Sequence, residues 1–294
     1  MEFSVGTRVV LSVLNPSTRS QIMKLQFVGI LVLALTSQAA AQGKAASSQK
    51  QAITAIKNLG GFVAFDEKRP GKPVITVSFL FIQVTDAGLV HLKGLTQLRE
   101  LDLSITKITD TGLAHLKELT NLQVLRLHYT QVTDAGLVHL KGLTKLQTLE
   151  LTHTQVTDAG LVNLKGLTKL QKLTLGPKIT DAGLVHLKGL TKLQELQLEA
   201  TQVTDAGLVH LKRLTKLQEL WLNKTKVSDA GLVHLKGLAK LQYLQLSSTQ
   251  VTDGGLVHLR GLTKLQTLAL FDTKVTDAGV KKLQAALPKC RILH

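Results

Sequence analysis

Nine aspartates at a fixed interval constrain this chain more than any other feature. Asp86, Asp110, Asp134, Asp158, Asp181, Asp205, Asp229, Asp253 and Asp277 follow one another at 24, 24, 24, 23, 24, 24, 24 and 24 residues. The surrounding phrase barely changes: Val84–Lys93, Val132–Lys141 and Val203–Lys212 all read VTDAGLVHLK. A constant interval of this size implies stacked units, because one such unit cannot bury its apolar side without neighbours. Residues 42–294 are therefore expected to form one domain rather than two.

One unit, from Leu146, reads LQTLELTHTQVTDAGLVNLKGLTK. Its L-x-x-L-x-L start alternates around Leu149 and Leu151, the pattern of a short strand with one buried face. Thr157 and Asp158 then offer a helix start, a capping oxygen with negative charge at the positive end of the dipole. Leu161, Leu164 and Leu167 give the inward stripe of a helix of two or three turns, too short to persist alone in water. The recurring threonines (Thr106, Thr130, Thr154, Thr201, Thr225, Thr249 and Thr273) are expected to bond backbone groups of adjacent turns. The glycine column beginning at Gly88 is expected to permit close backbone approach.

The pattern L-x-x-L-x-L-x-x-T-x-V-T-D-x-G-L resembles the leucine-rich repeat of the 24-residue bacterial type, and the resemblance runs from Val74 to the C-terminus. It implies an α/β solenoid: a right-handed arc with parallel strands on the concave side and short helices on the convex side. The curvature follows from spacing, since strands stack ~4.8 Å apart and helices need about 8–10 Å. The TDxGL portion is also similar to repeats of F-box substrate-recognition subunits of ubiquitin ligases. No F-box-like segment is read upstream, and an export signal argues against a cytosolic ligase role.

The ends depart from the repeat. Met23-Lys24, the apolar run Leu25–Leu35 and the small residues ending at Ala41 form the pattern of a secretory signal, with Met23 as an alternative start. The run is too short for an ordinary membrane span, and a buried core helix explains neither the basic flank nor the small-residue exit. Residues 1–41 are thus expected to be removed, leaving no transmembrane span in a mature chain that is exported to the periplasm, envelope or exterior. Residues 42–73 are expected as an N-terminal cap, with a helix over 49–59 and strands pairing across the EKRPGKP turn. Nine repeats are expected over 74–286 and a closing half-repeat over 287–294, with Leu287, Cys290 and Ile292 in the leucine slots. Cys290 is the only cysteine, so internal disulfides are excluded and its thiol is expected to be buried. Repeat five is one residue short, with Pro177 in place of threonine, and a local kink is expected there.

Two ladders look chemical. His91, His115, His139, His186, His210, His234 and His258 share one column, broken by Asn163. Its copies are expected ~8–10 Å apart on the convex side, among lysines rather than carboxylates. A zinc site needs three or four converging ligands, so the column reads as a repeated surface residue, and no metal or other cofactor is expected. The columns Lys93, Lys117, Lys141, Lys165, Lys188, Lys212, Lys236, Arg260 and Lys145, Lys169, Lys192, Lys216, Lys240, Lys264 carry much of the positive charge. Loss of residues 1–41 would lower that charge only from +16 to +14. Such a convex face reads first as a solvated surface and second as an attraction for anionic polysaccharide or lipid.

Function in a repeat array should lie where the copies differ, at the outward strand positions. The only tryptophan and both tyrosines fall there, with the carboxylates Glu100, Asp102, Glu150, Glu195, Glu199, Glu219 and Asp272. Arg126, Lys172 and Lys224 oppose them, leaving an acidic concave face on a basic protein, which tells against nucleic acid held in the curve. Glu195, Gln197, Glu199, Glu219, Trp221, Asn223, Tyr243 and Gln245 form the densest candidate patch, with Arg126, His128, Tyr129 and Glu150 extending it. Aromatic anchors among polar groups resemble interface hot spots. The leading expectation is a non-enzymatic recognition scaffold for a protein or peptide, preferably basic. An enzymatic or metal role for His128, Glu150 and His153 ranks last, because no nucleophile, phosphate loop or paired-acid motif accompanies them.

Overall fold

The computed structural model describes residues 48–294; the expected signal region lies outside them. Contacts divide the chain into Met1–Lys50 and Gln51–His294. Of the first unit only residues 48–50 are described, and they are helical. Among the described residues no helix is long and apolar enough to cross a membrane.

The second unit opens with helical residues 51–58. Ile56 is fully buried, and its carbonyl accepts from the Gly61 amide at 2.8 Å. Strand β1 (Phe62–Phe65) then pairs antiparallel with β2 (Val74–Ser78). Nine strands follow in parallel: β3 (Glu100–Asp102), β4 (Val124–Arg126), β5 (Thr148–Glu150), β6 (Lys172–Thr174), β7 (Glu195–Gln197), β8 (Glu219–Trp221), β9 (Tyr243–Gln245), β10 (Thr267–Ala269) and β11 (Arg291–Leu293). The 11 strands make one sheet in sequence order.

Register is set by the leucines. Leu101, Leu125, Leu149, Leu173, Leu196, Leu220, Leu244 and Leu268 stand opposite one another across successive strands, and each is fully buried. A slip of one residue would turn this row to solvent. The helical side is tighter than a regular helix: in most repeats a four-residue α turn such as Asp134–Leu137 runs into a 3₁₀ turn such as Val138–Leu140. The spacing of three in the leucine stripe is the 3₁₀ period. Among the repeats only Asp277–Ala286 is a longer α-helix, of 10 residues.

Two devices hold the turns together, and neither is the one expected. The column threonines bond within their own turn: Thr130 Oγ1 donates to Leu127 O at 2.6 Å and Thr225 Oγ1 to Leu222 O at 2.6 Å. The recurring side-chain link between repeats comes from aspartate. Asp134 accepts from the Thr157 amide at 2.7 Å and its hydroxyl at 2.6 Å, one repeat ahead. The same pair of bonds links Asp181 to Thr204 and Asp229 to Thr252. The glycine column makes room for this carboxylate: a Cβ on Gly136 would strike Asp110 Oδ1 and lie 3.1 Å from Leu113 Cδ1.

Repeat five does not break the sheet. Lys172, Leu173 and Thr174 pair with Glu195, Leu196 and Gln197 in unbroken register. The shortening falls in the following loop. Other repeats place a left-handed residue there, such as Ile105 (φ 57), Tyr129 (φ 56), Ala200 (φ 56) and Lys224 (φ 56). Its amide donates to the next repeat, as Ala200 does to Asn223 O at 3.0 Å. Gly176-Pro177 lacks that residue, and Pro177 has no N–H to offer.

Candidate functional site

Successive strand residues point to opposite faces, so with Leu220 buried, Glu219 and Trp221 both leave the concave side of β8. The same alternation presents Glu195 and Gln197 from β7, Tyr243 and Gln245 from β9, and Arg126 and Glu150 from β4 and β5. His128, Tyr129, Glu199 and Asn223 come from the turns that follow the strands.

The residues singled out from sequence fall into two clusters. The first centres on Glu150, whose side chain is 15% exposed. Arg126 Nε at 3.8 Å, His128 Nδ1 at 3.3 Å and Lys172 Nζ at 3.4 Å converge on it. Beside it the exposed Tyr129 ring stacks on His153, centroids 4.2 Å apart and planes 17° apart. A carboxylate already surrounded by cations is poorly suited to receive a metal ion, and the stacked His153 is engaged elsewhere.

The second cluster occupies β7–β9. Trp221 and Tyr243 lie against each other, centroids 4.9 Å apart at 35°. Glu219 stands directly opposite Tyr243 in the strand register. Glu195 is held by Lys172 Nζ at 3.1 Å and accepts from Gln197 Nε2 at 2.6 Å; Glu199 is 3.4 Å from Lys224 Nζ. Glu219 is exposed and has no cation at ion-pair distance among the described residues. Three buried polar atoms here have no hydrogen-bond partner: Trp221 Nε1, Asn223 Oδ1 and Ser247 Oγ. Such atoms ordinarily cost about 1–3 kcal/mol each and call for a specific explanation.

Asn223 departs from the expected surface position, being only 8% exposed. It follows the strand where the chain begins to turn, so its carboxamide tucks beneath the concave surface. Ser104, at the equivalent slot after β3, is fully buried for the same reason. Lys172 gained importance that sequence did not assign, bridging Glu150 and Glu195 and so joining the clusters. Burial pulls its pKa down, but the hydrogen bond and charge of Glu195, followed by those of Glu150, raise it above the ordinary lysine value. A groove of about 200 Å³ runs along the strand starts, lined by Thr148, Gln171, Lys172, Gln194, Glu195, Gln218 and Glu219.

On the convex side both lysine columns are exposed throughout. The histidines there are not free surface groups: all but His91 are half-buried between repeats. Burial, then the charges of Lys165, Lys188 and Lys212, lower the pKa values of His186, His210 and His234, against a smaller opposing effect of the preceding aspartates.

Stacked strand–turn–helix units of this kind, with varied residues on the inner sheet face, define a leucine-rich-repeat solenoid. Leucine-rich-repeat family profiles match residues 96–156, 237–259 and 261–283. Internalin C2 of Listeria monocytogenes is 30% identical, the match covering 76% of this chain and 92% of that one with a TM-score of 0.56. The chain belongs to the leucine-rich-repeat family. A leucine-rich-repeat protein of Leptospira interrogans shares the fold at 23% identity, over 69% of this chain and 56% of that one, with a TM-score of 0.52. So does the plant peptide hormone receptor RGFR1, in complex with RGF2, at 16% identity over 77% and 36% and a TM-score of 0.50. A search of curated proteins returns no match.

Proposed function

We propose that the chain is an exported, non-enzymatic recognition scaffold whose concave face binds a protein or peptide. The observation that carries the reading is the aromatic pair Trp221–Tyr243 beside a carboxylate without a cation, with Trp221 Nε1, Asn223 Oδ1 and Ser247 Oγ of the same cluster buried without partners. A half-buried aromatic pair on the open sheet face, with unfulfilled hydrogen-bonding capacity, is costly in an isolated molecule and useful at the centre of an interface. The monotony of the remaining repeats supports the same division of labour, with a constant frame carrying a varied surface.

A displayed library of random twelve-residue peptides, selected on the immobilised protein, tests this. Enriched peptides should lose at least about tenfold in affinity to Trp221→Ala and Tyr243→Ala variants, the scale of a hot-spot truncation. Enriched peptides that bind both variants as tightly as the parent would refute the assignment to this face.

A second reading has its own support in the two exposed lysine columns. The aspartates nearest them are engaged by threonines of the next repeat, as Asp158 is by Thr180 at 2.9 Å through the amide. The convex face would then attract anionic polysaccharide or lipid headgroups. Such binding should fade steeply with salt and be indifferent to Trp221.

A further inference from the structure

We propose that Glu219, Trp221 and Tyr243 form a receptor for an arginine side chain of the bound peptide. The inference rests on the concave-face reading above and names the group that anchors the peptide.

Three observations converge. The first is charge: the neighbouring concave carboxylates Glu195 and Glu199 already have lysine partners at 3.1 and 3.4 Å, whereas Glu219 has none among the described residues. An incoming cation therefore meets one available carboxylate in the β7–β9 cluster. The second is shape: parallel register sets Tyr243 beside Glu219, and the Trp221 ring lies 4.9 Å from the Tyr243 ring. An aromatic pair next to a carboxylate offers both features a guanidinium uses, a π face to stack on and two oxygens for a forked hydrogen bond. A lysine ammonium supplies the charge without the planar fork. The third is the unsatisfied acceptor Asn223 Oδ1, two residues beyond Trp221 on a side chain 8% exposed. Arginine carries five N–H donors, more than one carboxylate accepts. The groove that ends at Glu219 gives the partner's backbone a path along the strand starts, past Gln218 and Gln194.

Trp221 is the only tryptophan in the chain, so its indole emission reports this site alone. The full chain is titrated with three acetylated, amidated tripeptides, Gly-Arg-Gly, Gly-Lys-Gly and Gly-citrulline-Gly, citrulline being the uncharged isostere of arginine. Arginine should give a saturable change, with lysine weaker and citrulline weaker by about tenfold or more, the scale of one charge-assisted contact. Glu219→Gln should weaken arginine by a similar factor and leave citrulline unchanged; a thermal melt establishes that the variant is folded. Equal binding of arginine and citrulline, indifference to Glu219→Gln, lysine as tight as arginine, or no saturable change would each overturn the proposal. Library peptides that depend on Trp221 yet lack arginine would sink this inference while leaving the concave-face reading intact.

Discussion

Asp110 reaches out of its own repeat to grip Thr133 in the next, accepting from the threonine amide at 2.8 Å and its hydroxyl at 2.6 Å. The same hydroxyl oxygen accepts from the Ala135 amide at 3.3 Å, so one threonine caps its helix and ties it to the preceding turn.

Asp110→Ala should therefore lower stability by about 2–3 kcal/mol in a denaturant melt, since two bonds to an ionised acceptor are lost. Gly136→Ala should also destabilise, its new Cβ pressing on the same carboxylate. The double variant should lose less than the two single losses added, because removing the carboxylate clears the space. Strict additivity would show that the glycine serves another purpose.

The left-handed loop residues carry a removable cost. Ala200 is exposed with φ 56, a conformation that disfavours any Cβ by about 1 kcal/mol. Ala200→Gly should raise the melting temperature. Ala182→Gly, in the convex helical turn Asp181–Leu184, should lower it, the usual helical penalty costing about 0.5–1 kcal/mol of stability. The two substitutions are chemically identical, so opposite signs isolate the backbone effect.

Acidification should weaken the convex stack. His186, His210 and His234 have pKa values lowered in the folded state, so below about pH 6.5 the unfolded chain binds more protons. Their contribution is complete above that pH and is lost as pH falls through the lowered folded values. Denaturation midpoints at pH 7.5 and pH 5 should differ less in a triple His→Asn variant. The chain supplies the precedent: Asn163 holds the same column position, donating to Gly160 O at 3.0 Å. Asp253, its pKa lowered chiefly by the Thr276 amide, adds a further loss at lower pH that the triple variant should retain.

Cys290 should resist modification in the native protein. Burial pushes its thiol up to about 11, so little reactive thiolate exists at pH 8. Maleimide or iodoacetamide labelling followed by mass spectrometry should be slow until denaturant is added. Rapid native labelling would mean that the final strand opens readily.

The sheet was legible in the sequence because its period is unambiguous: Leu149 and Leu151 flank one outward residue, and alternation leaves them a single buried side. The placement of Trp221 and Tyr243 on one face follows from the same count. What stayed hidden depends on chain direction between turns. Local capping logic assigns Asp110 to the helix that it begins, whereas its strongest bonds lie 23 residues ahead. Nothing in side-chain pattern reveals that Ile105 and Tyr129 adopt left-handed backbone, since bulky residues ordinarily avoid it. Asn223 was misplaced because alternation ends where the strand does. Lys172 looked like one charge among many until register set it between Glu150 and Glu195.

The aspartate–threonine clasp has a direction, and both ends of the series are open. Thr85 makes no side-chain cap bond, and Asp277, its side chain fully exposed, meets only the terminal His294 at 3.5 Å. Outside the short fifth repeat the internal junctions carry the same clasp, so recombination there could excise or duplicate a whole unit and leave each remaining junction matched. Length in this molecule is then an evolvable quantity. Each added unit would widen the inner surface by one strand spacing, ~4.8 Å, giving a lineage a graded way to fit larger targets without redesigning the frame.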